Sequence, residues 1–122
     1  MSSYHEPQAE LSATARDTHR AMASLIEELE AADWYGQRIE VATAPELKDI
    51  LAHNRDEELE HASMLLEWLR RRMPELDTRL RTYLFADGPI VGLEQGGAQG
   101  GTANEALAPR SDLGVGRIRK ES

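Results

Sequence analysis

The sequence predicts an all-α protein: an antiparallel two-helix hairpin, followed by a short third helix, that pairs with a second copy to form a four-helix bundle. Two long segments, which begin near Ser12 and Thr43, repeat apolar residues every three or four positions, the spacing of one helix face. Eight of the nine glycines lie at or beyond Gly88, so the part of the chain that can build a core ends there. Two amphipathic helices leave most of their apolar faces uncovered, and this favours the pairing of two hairpins.

The first helix is predicted to start at a cap provided by Ser12 or Thr14 and to run to about Gln37, with Gly36 loosening its end. It is rich in Ala, Leu, Met and Glu, which are strong helix formers. A turn must then reverse the chain before the second apolar segment begins.

The second helix is predicted from Thr43 to about Arg72. Thr43 and Glu46 fit the capping box of Thr followed three residues later by Glu, and proline is tolerated in the first turn. A short third helix should follow from Glu75 to Phe85, because Pro74 permits a new helix start and Gly88 and Pro89 stop it. No further helix is predicted.

Four segments follow from these patterns. Residues 1–10 are polar and predict a flexible arm, and residues 11–87 form the helical hairpin domain. Residues 88–109 are rich in Gly, Ala, Gln and Thr and predict a disordered linker. Residues 110–122 place apolar side chains among basic ones and could dock into a groove on a partner.

Composition excludes several classes of function. The chain lacks cysteine, so disulfides, thiolate metal sites and thiol catalysis are excluded. Its formal net charge of −8 arises within residues 1–90 and attracts cations while repelling nucleic acid. No apolar run approaches the roughly 20 residues of a membrane-spanning helix, and the start of the chain lacks a signal-peptide pattern. We therefore expect a soluble cytoplasmic protein without nucleic-acid or membrane partners.

Two metal-binding side chains interrupt the stripe of the second helix that should face inward. That stripe consists of Leu47, Leu51, Asn54, Glu58, His61, Leu65 and Trp68. A buried carboxylate or imidazole without a partner costs several kcal/mol. The free energy of unfolding of a small domain can be as low as about 5 kcal/mol, so such a cost has to be compensated. A metal ion bound by Glu58 and His61 is the simplest compensation.

The first helix offers a third ligand. Its inward stripe should be Ala15, Met22, Leu25, Leu29 and Ala32, and Glu28 lies at the edge of that stripe in the row of Ala21, Leu25, Ala32 and Tyr35. Di-iron bundles use one Glu from each of two helices and a Glu-x-x-His pair from each of the other two. This chain therefore carries half of such a set, and two copies would supply four carboxylates and two imidazoles, which suit iron, although manganese or zinc would also bind.

Several other candidates remain open. Glu27, Glu30 and Trp34 lie on a neighbouring face and form either an access site for cations or a solvated acidic face. Tyr35 could hydrogen-bond a ligand carboxylate or donate an electron, or it could be a packing residue.

The remaining histidines have weaker patterns. His53 and Glu57 at i and i+4 form either a second pair or simple surface residues. His5 and His19 have no evident partner in the sequence.

Five stretches of the chain resemble the encapsulated ferritins. They are HEP in the arm, EELEAADWY, ILAHNRDEELEHASMLLEWLRRR, RTYLF and, at the tail, LGVGRIR. The resemblance implies a ferritin-like hairpin that dimerises, closes into a decameric ring and oxidises Fe(II) with dioxygen at a di-iron centre between two chains.

The resemblance also implies roles for individual residues. Glu28, Glu58 and His61 match the family's iron ligands and Tyr35 and Trp34 lie near its centre; Glu27 and Glu30 match its acidic access site, where Ca or another divalent ion can bind.

The tail from Leu113 to Arg119 resembles the peptide that directs cargo into encapsulin nanocompartments, except that Gly-Arg replaces the common Gly-Ser. The implied location is the bacterial cytoplasm, inside the encapsulin shell, where the oxidised iron is stored.

Two other functions are compatible with the residues. One is a non-catalytic oligomeric adaptor that binds divalent ions and docks on the shell. The other is a manganese or mixed-metal bundle enzyme that acts on peroxide or an organic substrate.

Overall fold

A computed structural model describes residues 3–94 of the chain. Within that range there are three α-helices, α1 (Ala13–Val41), α2 (Pro45–Arg72) and α3 (Pro74–Tyr83), and no strand. The predicted all-α class is therefore confirmed. The predicted tail peptide, Leu113 to Arg119, lies outside the described residues. None of the described helices is both long enough and apolar enough to span a membrane.

Helix α1 starts as predicted but ends later. The Ser12 hydroxyl accepts a hydrogen bond from the backbone N–H of Ala15 at 3.0 Å, which caps the first turn. The helix then continues through Gly36 to Val41, and the N–H of Ala42 closes it on the carbonyl of Arg38. A glycine inside a helix costs only about 1 kcal/mol relative to alanine, which is too little to end the helix at Gly36.

Helices α2 and α3 follow the predicted order. Helix α2 ends at Arg72, and α3 begins with Pro74 in its first turn and stops at Tyr83, slightly before the predicted end. The reason for the early stop is local: Leu84 is already extended, with φ of −74° and ψ of 138°, and Phe85 then adopts a left-handed conformation with φ of 60°. Residues 3–72 and residues 73–94 belong to two separate compact units, and only the first contains candidate metal ligands brought together.

The hairpin of α1 and α2 packs through small side chains. Four residues are almost fully buried, Ala21, Ala32, Ala62 and Leu69. Three of the four are alanines, which allow the two helix axes to approach closely. The buried row of α1 is therefore the row that also contains Glu28.

The predicted inward stripes need correction. Met22 and Leu29 were expected in the core of the hairpin but are 39% and 50% exposed, and Leu47 of α2 is also exposed. Ala62 and Leu69 are buried instead, although the predicted stripe of α2 omitted them. The large apolar side chains were misplaced because the contact between the helices is made by alanines.

Large apolar residues cover one exposed side of the hairpin. Met22, Ile26 and Leu29 recur at helical spacing on α1, and Leu59 of α2 is exposed as well. We call these four residues the back face. A single hairpin leaves this apolar surface exposed to water.

The predicted flexible arm contains some local order. Residues Gln8–Glu10 form a single 3-10 turn, and Arg16 donates a hydrogen bond to the carbonyl of Leu11 at 3.2 Å. The ring of Tyr4 stacks on His19 with a centroid distance of 4.2 Å. His19 thus has a partner that its sequence neighbours did not indicate.

Candidate metal centre

Glu28 of α1 lies beside Glu58 and His61 of α2. One ligand atom from each of the three residues lies within 4.8 Å of the others. Nδ1 of His61 is 3.2 Å from a carboxylate oxygen of Glu58 and 3.4 Å from one of Glu28. We call Glu28, Glu58 and His61 the triad.

The local packing explains how the triad forms. Glu58 and His61 are three residues apart, so they project from the same face of α2. Ala32 and Ala62 lie one turn beyond Glu28 and Glu58, and both are buried. Because these small residues bring α1 and α2 close together, the carboxylate of α1 reaches the two ligands of α2.

The triad is only partly covered in a single hairpin. The side chains of Glu28 and Glu58 are 26% and 24% exposed, and that of His61 is 46% exposed. His61 borders an open groove of about 620 Å³ between the helices, lined also by Ser24, Met64 and Trp68. The sequence placed the two α2 ligands in a buried stripe, but in one chain they sit at its open edge.

The electrostatics of the triad favour bound protons when no cation is present. A hydrogen bond shared with Glu58, together with burial, raises the pKa of Glu28. Burial alone would lower the pKa of His61, but contacts with Glu58 and Glu28 outweigh it and the net pKa is raised. A divalent cation would replace these protons, because carboxylates and imidazole bind metals in their deprotonated forms.

These pKa shifts predict that the metal-free protein loses stability as the pH rises. The ordinary pKa is 4.5 for Glu28 and 6.5 for His61, and folding raises both. The folded chain therefore binds these two protons more tightly than the unfolded chain does. Stability must therefore fall as the pH increases through the folded-state pKa values. Urea unfolding in EDTA should give a lower free energy of unfolding at about pH 8 than at about pH 5.5, measured at one protein concentration.

The same experiment has two internal checks. Glu67 should not contribute in this range, because hydrogen bonds from Arg70 and Arg71 hold its pKa at about 2. Replacing both Glu28 and His61 with Gln should flatten the pH dependence. An unchanged slope in that double variant would contradict the assignment of the protons to the triad.

The other predicted site residues lie outside the triad. Glu27, Glu30 and Trp34 are exposed on α1 and are not part of the ligand cluster. Tyr35 is half-buried, and the Arg38 guanidinium lies over its ring at 5.3 Å.

His53 and Glu57 form an exposed pair on α2 at 3.2 Å. Their side chains point to solvent, with 68% and 54% exposed. His5 is exposed in the arm.

Some neighbours of the triad were not predicted. Arg20, Ser24 and Met64 line the groove next to His61. Helical spacing offers a signal for two of them, since Ser24 precedes Glu28 by one turn and Met64 follows His61 by one turn. That they line one groove depends on how α1 and α2 cross, and the spacing within a single helix does not show this.

The chain is similar in sequence to a described family and to individual proteins. The sequence model of a family described as EncFtn-like matches residues 3–87. The chain is 48% identical to a protein of Rhodospirillum rubrum named "Encapsulated ferritin-like protein", over 98% of this chain and 90% of that one. It is 50% identical to a "Ferritin-like protein" of Thermotoga maritima, over 94% of this chain and 96% of that one.

A solved structure is also similar. A crystal structure of a protein from Nitrosomonas europaea has 60% sequence identity and a TM-score of 0.70, covering 71% of this chain and 96% of that chain.

Proposed function

This chain belongs to the EncFtn-like family, and from that premise we propose that it is a ferroxidase, which oxidises Fe(II) to Fe(III) with dioxygen at a di-iron centre formed between two copies of the chain. The observation that carries the proposal is the triad, in which two carboxylates and an imidazole meet within 4.8 Å. Such a mixed set of oxygen and nitrogen donors fits iron.

A second copy is needed to complete the centre. One chain offers two carboxylates and one imidazole, whereas di-iron bundles use four carboxylates and two imidazoles. A two-fold partner that covers the open side of the triad would supply the missing three residues. The same partner would cover the groove beside His61, so the ligand count and the incomplete core favour the same dimer, a four-helix bundle.

Further association of such dimers is part of the proposal. The back face of Met22, Ile26, Leu29 and Leu59 is exposed in the hairpin and contains none of the triad residues. An apolar surface of this kind favours another contact between copies, which supports a closed ring such as the decamer.

In the proposed reaction Fe(II) is the substrate. Two Fe(II) ions supply two electrons that reduce one dioxygen to hydrogen peroxide, with two protons taken from solvent. Glu28 and Glu58 provide the negative charge that favours Fe(III) over Fe(II), because a carboxylate binds the more highly charged ion more strongly. His61 would fix the position of an ion through one ring nitrogen, beside the carboxylate of Glu58.

Glu27, Glu30 and Trp34 are proposed to form the route by which cations reach the centre. Both carboxylates are exposed and flank Glu28 in the sequence, so they raise the local concentration of Fe(II) or of another divalent ion such as Ca. Tyr35 is proposed to lie near the assembled centre.

The direct test is oxygen uptake by the full chain after addition of Fe(II). We expect one dioxygen consumed for every two Fe(II) oxidised in the first turnover, at a rate well above that of Fe(II) in buffer. Calorimetry that shows bound iron without oxygen uptake would instead support the non-catalytic adaptor. Iron as the native metal is to be checked by metal analysis of protein from its natural source, where a manganese content would favour the mixed-metal enzyme.

We also propose that the chain is cargo of an encapsulin shell in the bacterial cytoplasm and supplies Fe(III) for storage inside it. This proposal is supported by the name of the Rhodospirillum rubrum relative, "Encapsulated ferritin-like protein". The segment proposed to contact the shell is Leu113 to Arg119, which contains apolar residues separated by glycine and flanked by basic residues.

Truncation of the chain after Pro109 should separate these two functions. We expect Fe(II) oxidation to remain at the level of the full chain, because all three triad residues precede the cut. We expect the truncated chain to stop co-purifying with a co-expressed encapsulin shell. Undiminished co-purification would exclude the tail as the docking segment. A shorter truncation after Gly116, which removes Arg117 to Ser122 but keeps Val115, serves as the intermediate control.

A further inference from the structure

Each helix of the hairpin has an aromatic ring two turns away from the triad, and an arginine lies over each ring. Tyr35 follows Glu28 by seven residues on α1, and Trp68 follows His61 by seven residues on α2. Seven residues are two helical turns, about 10 Å, so each ring lies on the same face as its ligand. The guanidinium carbon of Arg38 is 5.3 Å from the centre of the Tyr35 ring, and that of Arg72 is 4.5 Å from the centre of the Trp68 ring.

The two pairs flank the triad on both sides. Because α1 and α2 run antiparallel, the direction from Glu28 to Tyr35 is opposite to the direction from His61 to Trp68. Both rings are half-buried, and Trp68 lines the groove that His61 also borders. An oxidant formed at the triad would therefore have Tyr35 and Trp68 among the nearest oxidisable rings along the two helices.

A cation over an aromatic ring changes how readily that ring is oxidised. The guanidinium is attracted to the electron-rich face of the neutral ring. Loss of one electron would turn this attraction into repulsion, because the ring would then carry a positive charge next to a permanent cation. We propose that Arg38 and Arg72 protect Tyr35 and Trp68 from one-electron oxidation, and that both arginines are positioning residues acting through those rings. The protective role rests on the proposed function, since that reaction supplies the oxidant.

The electron balance of the damaging reaction is simple. One Fe(II) and one hydrogen peroxide give one Fe(III), one hydroxide and one hydroxyl radical. The radical that takes an electron from a ring becomes a second hydroxide. The oxidised ring then releases a proton to water, from the indole N–H of Trp68 or from the phenol O–H of Tyr35.

The other tryptophan of the chain provides a built-in comparison. Trp34 is 49% exposed and, within residues 3–94, has no arginine over its ring. It lies next to Asp33 in sequence and one turn after Glu30, and negative charge eases the loss of an electron. The ratio of Trp68 oxidation to Trp34 oxidation therefore reports the protection and cancels differences in oxidant concentration.

The first experiment needs no iron. The full chain in EDTA is treated with hexachloroiridate(IV), which accepts one electron and becomes iridium(III), and peptide mass spectrometry then quantifies oxidised Trp68 and Trp34. We expect Arg72→Leu, which keeps an apolar cover on the ring but removes the charge, to raise the ratio about threefold or more. Arg72→Lys should stay near the wild-type ratio. Arg71→Gln is the matched control, because it removes the same charge one residue away, where the arginine pairs with Glu67.

Two outcomes would overturn the proposal. One is an unchanged ratio in Arg72→Leu; the other is an equal rise in Arg72→Lys and Arg72→Leu, which would assign the effect to shielding of the ring rather than to charge. Arg38→Leu tests the second pair independently, with oxidation of Tyr35 measured against that of Tyr83. An unchanged ratio, or an equal rise in Arg38→Lys and Arg38→Leu, would contradict protection of Tyr35 by charge.

The second experiment uses Fe(II) and dioxygen on the same variants. Arg72→Leu should accumulate oxidised Trp68 faster per Fe(II) oxidised, while the initial rate of Fe(II) oxidation stays within about twofold of wild type. Absence of Fe(II) oxidation in the wild type would contradict the proposed function. Protection of the rings would then be decided by the hexachloroiridate experiment alone. Normal Fe(II) oxidation with equal Trp68 damage in wild type and variant would contradict protection alone.

Discussion

Replacement of Glu58 or His61 with Ala should lower the rate of Fe(II) oxidation by about a hundredfold or more. Loss of a residue that merely supports a metal ligand already costs roughly 10- to 100-fold, and each of these changes removes a ligand itself. In a centre shared by two copies a single substitution acts twice, so it removes two of six donors. Stopped-flow absorbance of Fe(III) and oxygen uptake should both report the loss.

The chain offers a matched control on the same helix. His53 and Glu57 are also a histidine and a glutamate in contact, at 3.2 Å, but both side chains are exposed and neither belongs to the triad. His53→Ala and Glu57→Ala should therefore oxidise Fe(II) at nearly the wild-type rate. Glu58→Gln keeps the size of the side chain and isolates the loss of charge. Rapid oxidation in both Glu58→Ala and His61→Ala would exclude the triad as the site of the reaction.

The helices could be predicted because their signals are local. The Ser12 cap marks the start of α1 through a hydrogen bond between neighbouring residues. The pattern at Thr43 located the start of α2 to within two residues, since the helix begins at Pro45. The end of α1 could not be read in the same way, because a glycine such as Gly36 costs a helix only about 1 kcal/mol and does not have to end it. The early end of α3 comes with an extended Leu84 and a left-handed Phe85, and the type of neither residue signals such a turn.

The packing of the hairpin was harder to predict than its helices. The predicted stripe of α1 contained Met22, Leu29 and Ala32, but of these three only Ala32 is buried. Ala21, from the neighbouring row, is buried as well. Close approach of two helices selects small side chains, and this property is a feature of the pair of helices. The large apolar residues are then exposed on a single hairpin, and the periodicity of one helix does not distinguish them from core residues.

The candidate ligands could be located from spacing, but their surroundings could not. Glu58 and His61 stand out because they occupy two steps of an apolar stripe at i and i+3, and Glu28 because it shares a row with buried alanines. In a single hairpin these side chains remain partly exposed, which the stripe alone did not indicate. The groove with Arg20 and Trp68 depends on the relative position of the two helices, which periodicity does not give.

Addition of Fe(II) without oxygen should shift the protein strongly toward the dimer. Two copies that meet without metal bring six ligands together, four of them carboxylates that repel one another, and burying them uncompensated is unfavourable. A metal that binds only the paired state stabilises it by about 2.7 kcal/mol per site at a free concentration of 100 times its dissociation constant. Because each 1.4 kcal/mol is a factor of ten, the dimer dissociation constant should fall about a hundredfold for each bound ion.

Native mass spectrometry under nitrogen, with and without Fe(II), measures this shift directly, and exclusion of oxygen separates binding from oxidation. Glu28→Gln should remove most of the metal effect, because it takes a carboxylate from each half of the centre while keeping the size of the side chain. Met22→Ser on the back face should weaken larger assemblies but leave the metal-dependent dimer. Linkage is reciprocal, so pairing must raise the affinity for Fe(II) by the same factor by which Fe(II) strengthens pairing. An oligomer distribution that is identical with and without Fe(II) would contradict the prediction that the metal promotes pairing.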